Sequence, residues 1–290
     1  MGLFDVFKKK SKIIQPSESE RLENFPEMLT VKLLFEKKPN LSAKDILKEL
    51  QQYFDQVENN EDIGNIKCLI FAFPNIRINL VAANIPAQCT VFRPNDDKLG
   101  IDIPEVALQQ NWHWNEANEN VKKCNYELLI TDLMTRTLDY KERLNLYMNF
   151  LVAVTKATKP DVIYSVCGQK LIKPDQLLLN WDEESRRQLF YAICNVRLYN
   201  ITGSGHRDIL MDTVGLGALG LPDFQIRSST FEANEIASLL WNYAYYIYEM
   251  GDIIETGNTL EGVQAGGKWK CERKVSPLQP ERVIIDVSPS

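Results

Sequence analysis

The stretch MDTVGLGALGLPDFQ (residues 211–225) places Gly215, Gly217 and Gly220 in the G-x-G-x-x-G spacing of a dinucleotide-binding loop. That fingerprint works when the third glycine packs a helix whose N-terminus holds the pyrophosphate, with an acidic residue about twenty positions later. Here Leu221-Pro222-Asp223 follows the third glycine directly. Pro222 biases Leu221 away from helical angles, and the next helix waits until Ser229. Glu232 and Glu235 fall inside that helix rather than after it, which is the wrong element for holding a ribose. The stretch reads instead as an apolar turn where small residues bring two backbones close, with Leu216, Leu219 and Leu221 filling a pocket. A nucleotide fold is set aside, and no cofactor is expected.

Outward from this turn, strands are expected at 189–199 and 208–213, joined by a loop containing Gly203-Ser-Gly-His206. Downstream, Ser229 and Glu232 form a capping box for a helix to about Met250. Its Trp241, Tyr243, Tyr245, Tyr246 and Tyr248 go nearly all round, which predicts packing on more than one side. Short strands follow near 268–274 and 282–287. Upstream, a strand at 126–131 leads into a helix capped by Asp139 with Glu142, ended by Pro160 and followed by a strand at 161–166. The spacing suits a strand-helix-strand unit with parallel pairing. Pro174 opens another short helix. Near the start, a strand at 29–35 precedes a helix capped by Ser42, and strands at 67–73 and 76–83 flank a Pro74-Asn75 turn.

Strands and helices mix without strict alternation, which predicts an α+β fold: mostly antiparallel or mixed sheets with helices packed on one face, or two tandem α/β subdomains. Three regions are expected: a flexible N-terminal tail (1–28), an N-terminal α+β subdomain (29–100, strand-helix-strand-strand) and a C-terminal α+β domain (105–290).

Composition narrows the partners. The 290 residues are 44% apolar and 25% charged, with a net charge of -6, so no basic footprint for nucleic acid is present and a basic partner is favoured. Six cysteines form no C-x-x-C pair and only two histidines could join them, so structural zinc is not expected and the cysteines read as reduced thiols in the cytoplasm. No apolar run approaches the ~20 residues of a membrane span. The opening MGLFDVFKKKSK has its apolar residues before its lysines, the reverse of a secretory signal.

MDTVGLGALGLPDFQ, VIYSVCGQKLIKP (162–174) and the closing helix followed by GNTLEG together resemble an uncharacterised bacterial family, domain of unknown function 4261, over roughly residues 105–290. The resemblance carries no established activity and no catalytic residues. It implies a cytoplasmic bacterial protein, with some members accompanying toxin systems as immunity-like partners.

Among candidate residues, Asp212, Thr213 and His206 supply a carboxylate, a hydroxyl and an imidazole, the minimum for a hydrolase pocket. Asp212 and Thr213 are equally suited to hydrogen-bonding the glycine turn, which is the preferred reading. Trp112-His113-Trp114, read as a strand, puts both indoles on one side, either in the core or as an interface anchor. Cys167 before Gly168-Gln169 invites a nucleophile reading that lacks a placed histidine. The acidic runs at 58–62 and 182–187 lack calcium-loop spacing. The expected function is binding without catalysis: a protein partner, such as a toxin neutralised by an immunity protein, anchored on Trp112 and Trp114 and steered by Asp96 and Asp97. The alternative is an enzyme with a pocket at His206, Asp212 and Thr213.

Overall fold

Apolar strands and capped helices build two sheets. The computed structural model describes residues 21–59, 68–80, 83–94, 102–181, 190–203, 208–264 and 266–289, so Asp96, Asp97, His206, the run at 182–187 and part of that at 58–62 lie outside the described residues. The first sheet contains β1 (Thr30–Phe35), β2 (Glu58–Asn59), β3 (Cys68–Leu80), β4 (Ala83–Phe92), β5 (Tyr126–Leu133), β6 (Val162–Ser165) and β7 (Lys170–Ile172). Their order is β2-β3-β4-β5-β1-β6-β7, antiparallel throughout. The second contains β8 (Asn195–Asn200), β9 (Ile209–Val214), β10 (Asp223–Ser228), β11 (Thr259–Glu261), β12 (Lys268–Val275) and β13 (Val283–Pro289) in the order β11-β12-β13-β10-β9-β8. Only β10 and β13 pair in parallel. The fold is α+β, as the sequence reads.

Six α-helices accompany the sheets among the described residues: α1 (Ala43–Leu50), α2 (Glu105–Gln109), α3 (Ala117–Lys123), α4 (Tyr140–Thr158), α5 (Pro174–Leu179) and α6 (Ala233–Met250). The Ser42 hydroxyl accepts from Asp45 N at 3.2 Å, and the Asp139 carboxylate from Lys141 N at 2.9 Å, so both expected caps form. β1 lies inside its sheet with helices on both faces: Leu33 joins the core with α4, and Leu34 joins a second cluster with Ala107 of α2 and Val121 of α3. That two-sided cover explains an unbroken Leu33-Leu34-Phe35 run where a half-exposed strand would alternate.

Several expectations fail for identifiable reasons. Pro74-Asn75 makes no turn; it lies within β3 at a register shift between Phe73 and Arg77, where a bulge tolerates a residue without an N–H. β5 and β6 run in the same direction, but β1 stands between them and pairs antiparallel with both. β4 pairs with β5, so the first sheet runs straight across the boundary expected at 100–105. The cap of α6 is Glu232 with Glu235, one turn beyond Ser229, because DFQIRS forms the central strand β10 before the helix starts. Residues 21–28 are held, not loose. The Asn24 side chain donates to Leu221 O (2.8 Å) and accepts from Val283 N (2.8 Å), and Arg273 Nη2 donates to Leu22 O (2.8 Å).

The glycine stretch joins the two sheets. Leu216–Leu219 form a 3-10 turn, and Leu216, Leu219 and Leu221 are buried. Gly215 has φ +124°, and a Cβ there would meet Ile193 O at 2.1 Å. Gly168, between β6 and β7, approaches the same carbonyl from the other side, where a Cβ would meet it at 2.6 Å. Arg143 of α4 and Glu27 N both donate to Ala218 O, at 3.0 and 3.1 Å. Small residues are needed here because two backbones touch.

Candidate functional site

Asp212 and Thr213 close β9 and are fully buried. Arg197 of β8 donates to the Asp212 carboxylate through Nε (2.9 Å) and Nη2 (2.5 Å), and Arg282 donates through Nη2 (2.6 Å). Arg282 also donates to Asp223 (3.1 Å) and to Thr213 O (2.8 Å). Asp223, not Asp212, supports the glycine turn: it accepts from Leu216 N and Gly217 N, each at 3.3 Å, and from the Thr213 hydroxyl at 2.8 Å. Burial pushes the Asp223 carboxyl up from its ordinary value, against the opposing pull of Arg282 and Thr213. Two carboxylates and two guanidiniums thus neutralise one another inside the protein, and the Thr213 hydroxyl is engaged on both sides because it also accepts from Phe224 N at 2.8 Å. The pair is built for structure.

Cys167 lies beside this network in a small cavity of about 260 Å³ that also meets Gln169, Gly215 and Arg282. Burial pushes its thiol up, away from the thiolate a nucleophile needs. Among the described residues, no group of three or more His, Cys, Asp and Glu side chains is placed to hold a metal ion, and no helix is long and apolar enough to cross a membrane.

The larger opening, about 700 Å³, lies where the β7 edge of the first sheet meets the β8 edge of the second. Residues 110–113 stand between those edges. Gln110 donates to Leu198 O and accepts from Leu198 N, both at 2.9 Å, while Asn111 Oδ1 accepts from Leu171 N (3.1 Å) and His113 Nε2–H donates to Leu171 O (2.9 Å). Three side chains therefore satisfy backbone groups that two strand edges leave open. The Trp-His-Trp segment, whose indoles a strand would have put on one side, is a turn, and these side chains rather than its own backbone make the pairing.

That turn delivers Trp112, His113 and Trp114 to one wall of the opening. Trp112 is 58% exposed, and its ring meets His113 edge-on at 6.5 Å. The opposite wall is α6, where Trp241 and Tyr245 stack at 6.2 Å with 28° between their planes. Phe190 and Tyr191, just before β8, and Val196 on β8 complete the apolar side, with Asn195 of β8 beside them. Partial burial of the His113 ring, with the neighbouring Lys170 ammonium, lowers its pKa and favours the neutral imidazole.

Lys170 is the unusual group. It is 6% exposed, donates to Tyr191 O at 3.2 Å, and stands 4.3 Å from the centre of the Tyr191 ring. No carboxylate pairs with it among the described residues. Burial brings its pKa down to about 8. Asn195 adds a second unmet need, because its buried Nδ2 has no hydrogen-bond partner among the described residues. A fall from the ordinary 10.5 to about 8 corresponds to about 3–4 kcal/mol at about 1.4 kcal/mol per pH unit. The folded pKa is the depressed one, so this cost is fully present below about pH 8 and is relieved as the pH rises toward 10.5. Lys170→Met is therefore expected to stabilise the free protein by about 2–3 kcal/mol at neutral pH. Urea unfolding should show the gain shrinking above pH 8; a destabilised variant would refute the account.

The structure brings Trp112 and Trp114 to this opening but leaves Asp212 and Thr213 outside it. Sequence reading missed Lys170, Tyr191, Asn195, Trp241 and Tyr245 as a group, because they come from separate elements far apart in the chain. One local signal was available: Lys170 is the only charged residue in the β-hairpin VIYSVCGQKLI, and it is buried there.

The chain is thus an α+β protein of two sheets, joined by a glycine turn and carrying an aromatic cleft at the joint. Residues 212–288, from the end of β9 through β13, match the family model described as Domain of unknown function (DUF4261). The match covers the second sheet without β8, a narrower span than the resemblance read from the sequence, and includes the Asp-Thr and glycine motif. No curated protein and no solved structure matches the chain.

Proposed function

We propose that this protein binds a ligand without transforming it, in the aromatic cleft between β7 and β8. The observation that carries the reading is a buried lysine with no carboxylate partner among the described residues, in a cavity of about 700 Å³, a volume typical of small-molecule sites. Such a lysine lowers the stability of the empty protein, a cost expected where binding requires it. Of the residues an enzyme reading would use, Asp212 is already taken up in buried ion pairing and the Thr213 hydroxyl in hydrogen bonds with Asp223 and Phe224 N.

Exposed Trp112 supports a second reading, in which a protein partner anchors on the indole; toxin neutralisation would be one form of it. The charges at the cleft, Lys170 and Lys173, favour an anionic group there. A basic partner, as net charge suggests, would have to meet another face.

A titration with small aromatic fragments, followed by two-dimensional NMR, tests the first reading. Saturable shifts of the Trp112 and Trp241 indole N–H signals are expected. Trp112→Ala should weaken binding by about two- to tenfold while changing stability by less than about 0.5 kcal/mol. Fragments that move no cleft signal would reject the reading, and a stoichiometric protein partner captured by the wild type and lost in Trp112→Ala would favour the second.

A further inference from the structure

Resting on the cleft as the binding site, we infer that its ligand is a small aromatic carboxylate, with the carboxylate held by Lys170 and Asn195 and the ring packed against the aromatic walls. Two unmet donors line one cavity. Lys170 has spent one N–H on Tyr191 O and has no carboxylate partner among the described residues. Asn195 Nδ2, on β8, is buried and has no hydrogen-bond partner among the described residues. Buried polar groups are ordinarily satisfied, and a buried ammonium ordinarily has a counter-charge. What both lack is the same thing: acceptor oxygens carrying negative charge.

The number and kind of donors narrow the anion. One ammonium and one amide match a single negative charge shared by two oxygens. A phosphate dianion ordinarily draws arginine forks, and among the described residues no arginine lines the cleft. The body of the ligand follows from the walls, where Trp241 and Tyr245 offer nearly parallel faces and Trp112 stands at the rim. Lys173, exposed at the same opening, adds attraction for an anion on approach.

The titratable and charged groups facing Lys170 are His113 on the turn, Lys173 at the start of α5, Tyr191 before β8, Cys194 beside β8 and Tyr245 on α6. Burial holds the Tyr191 hydroxyl and the Cys194 thiol above their ordinary values, and burial beside Lys170 favours the neutral His113 imidazole. Lys170 deprotonates at about 8, so binding of a carboxylate should weaken as the pH passes that value. The bound anion should in turn raise the pH at which the lysine titrates.

Calorimetry with three probes of one shape separates the possibilities: indole-3-acetate, neutral indole-3-acetamide and cationic tryptamine. The acetate is expected to bind about tenfold or more tightly than the amide and the amine at neutral pH, with that preference shrinking above pH 9. Lys170→Met should abolish the preference while leaving acetamide binding in place, and Asn195→Leu should reduce it. Equal binding of acetate and acetamide to the wild type would overturn the carboxylate inference and leave the cleft reading standing. Failure of all three probes to bind would overturn both. The comparison on wild-type protein needs no variant, so it decides the matter even where a substitution fails to fold.

Discussion

Asp212→Ala is expected to destabilise the protein by about 3–5 kcal/mol, the largest loss from any single side chain discussed here. The carboxylate lies between two arginines, at 2.5 Å from Arg197 Nη2 and 2.6 Å from Arg282 Nη2, and none of the three is more than 7% exposed. Asp212, Asp223, Arg197 and Arg282 sum to zero charge; without Asp212 the interior holds a surplus guanidinium. Remaining partners offset only part of that. Arg197 keeps Gln169 Oε1 (2.7 Å) and Gln279 O (2.8 Å), and Arg282 keeps Asp223, but none supplies the lost negative charge. Urea unfolding should show a lower midpoint with an unchanged slope, the sign of a stability change in a two-state transition. A catalytic Asp212 predicts the reverse, a well-folded variant, so a loss below about 1 kcal/mol would return the enzyme reading to consideration.

Gly215→Ala should cost about 2–5 kcal/mol. Roughly 1–2 kcal/mol arises from holding an L-residue at φ +124°, and about 1–3 kcal/mol from forcing a methyl group against packed neighbours. The obstacle is a backbone carbonyl, Ile193 O at 2.1 Å, which cannot rotate away as a side chain would. Gly203, at φ +95° but with nothing among the described residues within 4 Å of a Cβ, provides the control. Gly203→Ala should show only the conformational part, and equal losses at both positions would refute the close-approach account.

The two predictions also show which parts of the molecule are legible in sequence. The helix beginnings at Ser42 and Asp139 are, because a cap and its helix are neighbours in the chain. The close approach at the glycines is, because only their spacing and Pro222 are needed to discard a nucleotide loop. β10 is not. Its Asp223 and Gln225 are buried on a face where polar partners, Arg282 and Asp286, replace apolar packing, so DFQIRS shows no hydrophobic run. The position of β1 between β5 and β6 is equally hidden, because a strand from the chain's beginning enters a unit that looks complete by itself. At the cleft, Trp112 and Trp114 stand out as an aromatic pair. The need for an anion does not, because it exists only once Lys170 and Asn195 have been buried against each other's surroundings.

Gln110, Asn111 and His113 act as terminators. A peptide strand laid along β8 would take up its open N–H and C=O groups and present an identical row on its far side, ready for the next strand. A glutamine amide satisfies Leu198 and presents no such row, and Asn111 with His113 does the same for Leu171. Hydrogen bonding therefore stops at both edges without passing on. Had residues 110–113 formed a strand pairing with both edges, β7 and β8 would have been stitched toward one continuous sheet, and the space between them would have been filled by backbone. The cleft is the room left where that propagation is cut off.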